Sequence, residues 1–203
     1  MNIKQHCFAV AALALTATVG HIQAQSVPAT FQGVSPGLSL SGTFDGSTTR
    51  NVNSGVMKFD QFDAFCVDPY QFISYGQTVD YDKELTFSTP AVSDAIARLV
   101  GGYYASGQTA QEAASTQWAI WEILIDGVGS TDLTTGNNQV FNSTTADLAK
   151  TYLVNIDSLP KADVVYLTNG EFQDMVTTVV PEPSSLALLG LGVVGFLIRR
   201  KRG

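Results

Sequence analysis

Residues 109–125 read TAQEAASTQWAIWEILI, and this run decides the fold class. Thr109 followed three residues later by Glu112 forms a capping box, in which each side chain satisfies a backbone N–H that a helix start leaves unpaired. Ala113, Ala114, Gln117, Trp118, Ile120, Trp121 and Leu124 continue the run at helical spacing, to about Ile125 and before Gly127. Upstream, Ser88-Thr89-Pro90 is a second start signal, because proline suits the first helical turn. Ala95, Ile96, Leu99 and Val100 follow, and Gly101-Gly102 are expected to stop that helix. A weaker third helix is predicted at about 145–154.

The flanks have strand character. Residues 25–54 are rich in Gly, Ser and Thr, with short alternations such as Leu38-Ser39-Leu40-Ser41-Gly42, and read as a loose lead into short strands. Residues 56–67 alternate around Phe59, Phe62 and Phe65. Residues 70–87 suggest further strands broken by Gly76. Strand character returns at 164–167 and 175–180, with Asn169-Gly170 as a hairpin turn between them. Strands, clustered helices and closing strands imply an α+β fold. The helices do not alternate with strands, so the sheet is expected to be antiparallel, a β-sandwich or barrel-like sheet with a helical insertion.

The two ends read differently from this body. Lys4 and the apolar run 8–19 resemble a secretory signal peptide, too short to span a bilayer comfortably. Cleavage is expected after Ala24. At the other end Val180-Pro181-Glu182-Pro183 is a stiff extended element. A single hydrophobic helix is expected over 186–198, and Arg199-Arg200-Lys201-Arg202 would hold its end on the cytoplasmic side. The organisation expected is therefore a signal peptide at 1–24, an extracytoplasmic domain at 25–180 and a sorting or anchoring tail at 181–203.

That tail resembles the PEP-CTERM sorting signal of Gram-negative bacteria that make exopolysaccharide. Pro181, Glu182 and Pro183, the small and apolar stretch after them, and the terminal basic cluster carry the resemblance. It implies processing by an exosortase, a membrane protease-transpeptidase, and contact with the membrane through the tail until it is removed. The location it implies is the cell envelope, the cell surface or an extracellular matrix.

Composition removes several functions. The chain has 18 acidic and 11 basic residues, and five of the basic ones are Lys4 and the terminal cluster. Such an acidic body repels phosphate backbones, so nucleic acid is not an expected partner. Both histidines, His6 and His21, lie in the expected signal peptide, which leaves no histidine for triad catalysis or zinc. Cys7 lies there too, so Cys66 is the one cysteine of the body, exported with no intramolecular partner.

Two segments could carry chemistry: Phe65-Cys66-Val67-Asp68, ending a predicted strand, and Thr116-Gln117-Trp118-Ala119-Ile120-Trp121, within the capped helix. Together they resemble the thioester domains of bacterial surface adhesins, in which a cysteine and a later helical glutamine join side chains with loss of ammonia. The resemblance implies a Cys66–Gln117 thioester. Phe65, Trp118 and Trp121 are expected to shield it from water, Trp121 from four residues along the same helix face as Gln117. Proximity could form such a bond without histidine. The alternative is structural: Cys66 as a small buried hydrophobe and Gln117 as a hydrogen-bonding partner of a sheet edge.

A weaker pattern is Asp63, Asp68, Asp80, Asp82 and Glu84, whose carboxylates could suit calcium, though no calcium-loop motif is present and no metal or other cofactor is assigned. Asp63 and Asp68 could in principle be a glycosidase pair, but nothing in the sequence fixes their separation. The sequence therefore points to a non-enzymatic, exported surface or biofilm-matrix protein. It would attach to an exopolysaccharide or other surface target bearing amines or hydroxyls; the alternative is a passive structural matrix or envelope protein.

Overall fold

A computed structural model describes residues 26–178 of the chain. The expected signal peptide at 1–24 and the expected tail helix and sorting residues, Pro181 to Pro183 among them, lie outside the described residues.

The Gly/Ser-rich start is no loose lead. It forms β1 (Val27–Thr43), which at 17 residues exceeds every other strand described. Its first part pairs with β4 (Thr78–Glu84), from Val27↔Tyr81 to Thr30↔Thr78. Its remainder pairs with β2 (Arg50–Phe59), from Phe31↔Phe59 to Gly42↔Arg50. The register shifts between Phe31 and Gly33 and again between Val34 and Gly37. Such bulges bend a strand, and here the bend lets one segment serve two neighbours. Gly55 stands opposite Gly37 with φ 145°, and a Cβ there would lie 2.4 Å from the Pro36 carbonyl oxygen. The weak strand propensity of this stretch is overridden by pairing: Ser39 and Ser41 hydroxyls donate to Asn53 and Asn51 across the strands.

β3 (Asp63–Cys66) continues from β2, and β6 (Val165–Thr168) and β7 (Met175–Thr177) close the sheet. The pairings β1–β2, β2–β3, β3–β7, β7–β6, β6–β4 and β4–β1 form a closed circuit in which every pair is antiparallel. The two-residue β5 (Gln139–Val140) adds onto β1 at Gly42 and Thr43. With three helices between β4 and β6, this is the α+β class with an antiparallel sheet.

Three local expectations are corrected. Of residues 70–87 only β4 is strand; 67–77 form a loop, begun by Asp68, whose carboxylate accepts from the backbone N–H of Tyr70 and Gln71. Asn169-Gly170 is not a two-residue hairpin turn, since neither has the positive φ such a turn requires. Instead the Asn169 side chain accepts from Glu171 and Phe172 N–H in a longer loop. Helix α1 (Pro90–Tyr104) runs through Gly101-Gly102. A Cβ on Gly101 would sit 2.1 Å from the Pro160 carbonyl oxygen, and Ala162 N–H bonds Ala97 O beside it. These glycines admit a crossing segment; they do not end the helix.

Helix α2 (Ala110–Ile125) has both halves of the Thr109–Glu112 capping box, and α3 (Ser143–Val154) is capped by Asn142. Eleven residues of α2, from Ala113 to Ile123, are buried. A helix buried on every side belongs in the middle of a core, and α2 packs against β1, β2, β3 and both other helices. Among the described residues, no helix is long and apolar enough to cross a membrane.

Candidate functional site

Burying α2 brings its centre against the end of β3. Cys66 N–H donates to Gln117 Oε1 at 2.9 Å, and Gln117 Nε2 donates to the Cys66 carbonyl oxygen at 2.8 Å. Strand geometry explains why this slot is open. In β3, Phe65 pairs with β7, and Val67 N–H bonds Asp174 O. Alternate residues direct their backbone groups to opposite sides, so Cys66 points toward β2. That strand pairs with β3 only at Met57↔Ala64 and Lys58↔Asp63, so the ladder stops short of Cys66. The Gln117 amide takes the place of the missing peptide.

The Cys66 sulfur lies beside this contact. Its thiol donates to Asp68 O at 3.1 Å, and Asp68 N–H points back to the sulfur at 3.3 Å. Burial pushes the thiol pKa up to about 12, because a thiolate there would lose its hydration. The Trp121 indole, the Asp68 N–H and the Gln173 amide pull weakly the other way. The Trp121 Nε1–H nevertheless has no hydrogen bond of regular geometry.

Trp121 and Trp118 meet edge to face at 5.1 Å, and both pack on Phe44, at 5.0 and 5.3 Å. A cavity of about 260 Å³ opens over the site, lined by Cys66, Gln117, Trp121, Phe44 and Gln173 among others. Of the three residues expected to cover the pair, Trp121 lines this cavity. Trp118 stands behind it, fully buried against Phe44. Phe65 packs edge to face on Tyr103 of α1, 5.1 Å away. The sequence does not assign the other lining residues to the site, Phe44, Asn51, Asn53, Phe72 and Gln173 among them. The one signal available was the Asn51-Val52-Asn53 alternation opposite Ser39-Leu40-Ser41.

The carboxylates considered for calcium are dispersed. Asp63 pairs with Lys58, Asp68 caps its turn, and Asp80, Asp82 and Glu84 alternate outward along β4. Among the described residues, no group of three or more metal-ligating side chains comes together.

Residues 179–202 match the PEP-CTERM protein-sorting motif. The match contains Pro181, Glu182 and Pro183, so the chain carries the signal of an exported protein sorted by an exosortase, a membrane protease. The sorting motif gives it an address in the cell envelope or at the surface. No curated protein and no solved structure matches the chain.

Proposed function

We propose that this exported protein attaches covalently to a cell-surface or exopolysaccharide-matrix target through a thioester between Cys66 and Gln117. The observation that carries the reading is the two-point contact of the Gln117 amide with Cys66, buried beside the thiol. In forming the bond, the Cys66 sulfur attacks the Gln117 amide carbon, the carbon–nitrogen bond breaks, and the nitrogen leaves as ammonia with the thiol proton. Cys66 N–H already donates to the oxygen on which negative charge would develop. The aromatic cluster of Phe44, Trp118 and Trp121 would slow hydrolysis by keeping water from the acyl carbon. Each molecule would react once, so the protein acts as an attachment device and not as an enzyme.

A second reading has its own support. The same contact satisfies both backbone groups of Cys66, and a passive matrix or envelope protein would need nothing more of Gln117. Intact mass of the protein purified after export separates the two. The thioester predicts a mass short by one ammonia, a methylamine adduct on treatment, and neither effect in Cys66→Ser. A full mass with no methylamine adduct leaves the passive role.

A further inference from the structure

The cavity over Cys66 differs in charge from the body around it. The chain carries a formal net charge of −7, yet no Asp, Glu, Lys, Arg or His lines this cavity. Its polar lining comes from amides: Asn51, Asn53, Gln117 and Gln173. Asn51 and Asn53 accept from Ser41 and Ser39 through their side-chain oxygens, so these bonds do not use their amide N–H groups. Among the acids adjacent in sequence to lining residues, Asp68 accepts from the backbone N–H groups of Tyr70 and Gln71, and Asp174 from that of Asn169.

Beside the amides stands an aromatic loop. Tyr70, Phe72 and Tyr75, between β3 and β4, are 56%, 64% and 80% exposed. Phe72 also lines the cavity. Tyr70 is fixed, with its hydroxyl donating to Phe44 O at 3.0 Å. Exposing three large rings on one short loop costs apolar hydration that single surface residues do not explain.

Uncharged amides beside flat apolar rings suit a ligand with hydroxyl groups on its edge and C–H groups on its face. They do not suit an ammonium ion, which would lose its water at the cavity wall with no carboxylate to replace it. We propose that the cavity and its aromatic loop bind an uncharged polysaccharide, and that a sugar hydroxyl is the acceptor of the acyl group. This rests on the thioester reading for its covalent step only. In that step the sugar oxygen attacks the Gln117 acyl carbon, the carbon–sulfur bond breaks, an ester forms, and the hydroxyl proton ends on the Cys66 sulfur.

The test is affinity electrophoresis of the full exported protein through gels containing dextran, galactomannan or xylan (neutral), alginate (acidic) or poly-lysine (amine). Retardation in a neutral gel is expected, and Phe72→Ala/Tyr75→Ala should weaken it about tenfold, the loss of two stacking contacts. No retardation by any neutral polysaccharide, or retardation by alginate or poly-lysine alone, overturns the proposal. Intact mass on the same samples separates it from the thioester reading. Ammonia loss without neutral-glycan retention sinks this inference and leaves that reading standing. Retention without ammonia loss sinks the covalent step and leaves the binding cavity.

Discussion

Gln117 grips Cys66 by its backbone and not by its sulfur: both amide atoms of the glutamine bond the peptide groups of the cysteine, at 2.9 and 2.8 Å. Until a thioester expels the Gln117 nitrogen, the two residues therefore contribute unequally to the fold.

Gln117→Ala orphans a buried N–H and a buried C=O, each worth about 1–3 kcal/mol when left unpaired. Cys66→Ser keeps both bonds, and its hydroxyl can take over the thiol's contacts with Asp68. Neither variant can form a Cys66–Gln117 thioester, so urea denaturation should show Gln117→Ala less stable than Cys66→Ser by several kcal/mol, about 2–6 in sum. Equal losses in the two variants would mean that the contact does not hold β3 to α2.

The thiol makes a separate prediction. In a variant that cannot form a thioester, such as Gln117→Ala, burial, which pushes the Cys66 thiol up to about 12 in the wild-type site, should keep it well above its ordinary value. At pH 8 it should react with an aromatic disulfide reagent at least about a hundredfold more slowly than an ordinary thiol of pKa about 8.5. Unfolding in guanidinium should release one full equivalent. Fast reaction of the native variant would show Cys66 to be open to water. The linkage has a definite sign: the folded state keeps its proton while the unfolded thiol loses it, so this group's stabilisation falls as pH rises from about 9 toward 12.

Local signals in the sequence carried the helices well, because Thr109–Glu112 and Thr89-Pro90 are chemistry that works within one turn. The Cys66–Gln117 pairing came from a resemblance, and its geometry rests on contacts 51 residues apart. No local pattern says that the β2–β3 pairing will stop at Met57↔Ala64 and leave a slot for an amide. The failures share that cause. Gly101 serves a segment some sixty residues downstream, and β1 is held by serine and asparagine pairs that read individually as loop chemistry. The aromatic loop has the aromatic and β-branched composition of a strand, yet 67–77 form no strand and Asp68 turns the chain at their start.

Gly42 supports Trp118 by having no side chain. A Cβ there would fall 2.4 Å from the Trp118 ring and 2.2 Å from the Gln139 carbonyl oxygen, so neither the indole nor β5 could keep its place. Gly42→Ala should destabilise by about 1–3 kcal/mol through overpacking. It should also shift tryptophan fluorescence, since Trp118 is fully buried. An unchanged spectrum with unchanged stability would show that the β1–α2 contact is looser than drawn.

Glu122 closes the far end of the same helix. It is fully buried, accepts from Ser130 Oγ and from Asn138 Nδ2, and burial raises its pKa, with Asp126 and Asp132 adding repulsion. Asn138 also donates to Trp118 O, which ties this carboxyl to the helix turn that carries the aromatic cluster. A carboxyl whose folded pKa is raised keeps its proton in the native state while the unfolded chain, with a value near 4.5, has lost it. Its contribution to stability is thus whole below the unfolded value and declines as pH climbs toward the folded one. Glu122→Gln keeps one oxygen to accept from Asn138 Nδ2 and offers its amide N–H to the Ser130 hydroxyl, which can accept instead of donate, and it cannot ionise. Thermal melts from pH 4 to pH 8 should show wild type losing stability across that window more steeply than Glu122→Gln. Parallel curves would mean that Glu122 is charged in the folded protein, with its two donors sufficient to hold the ion.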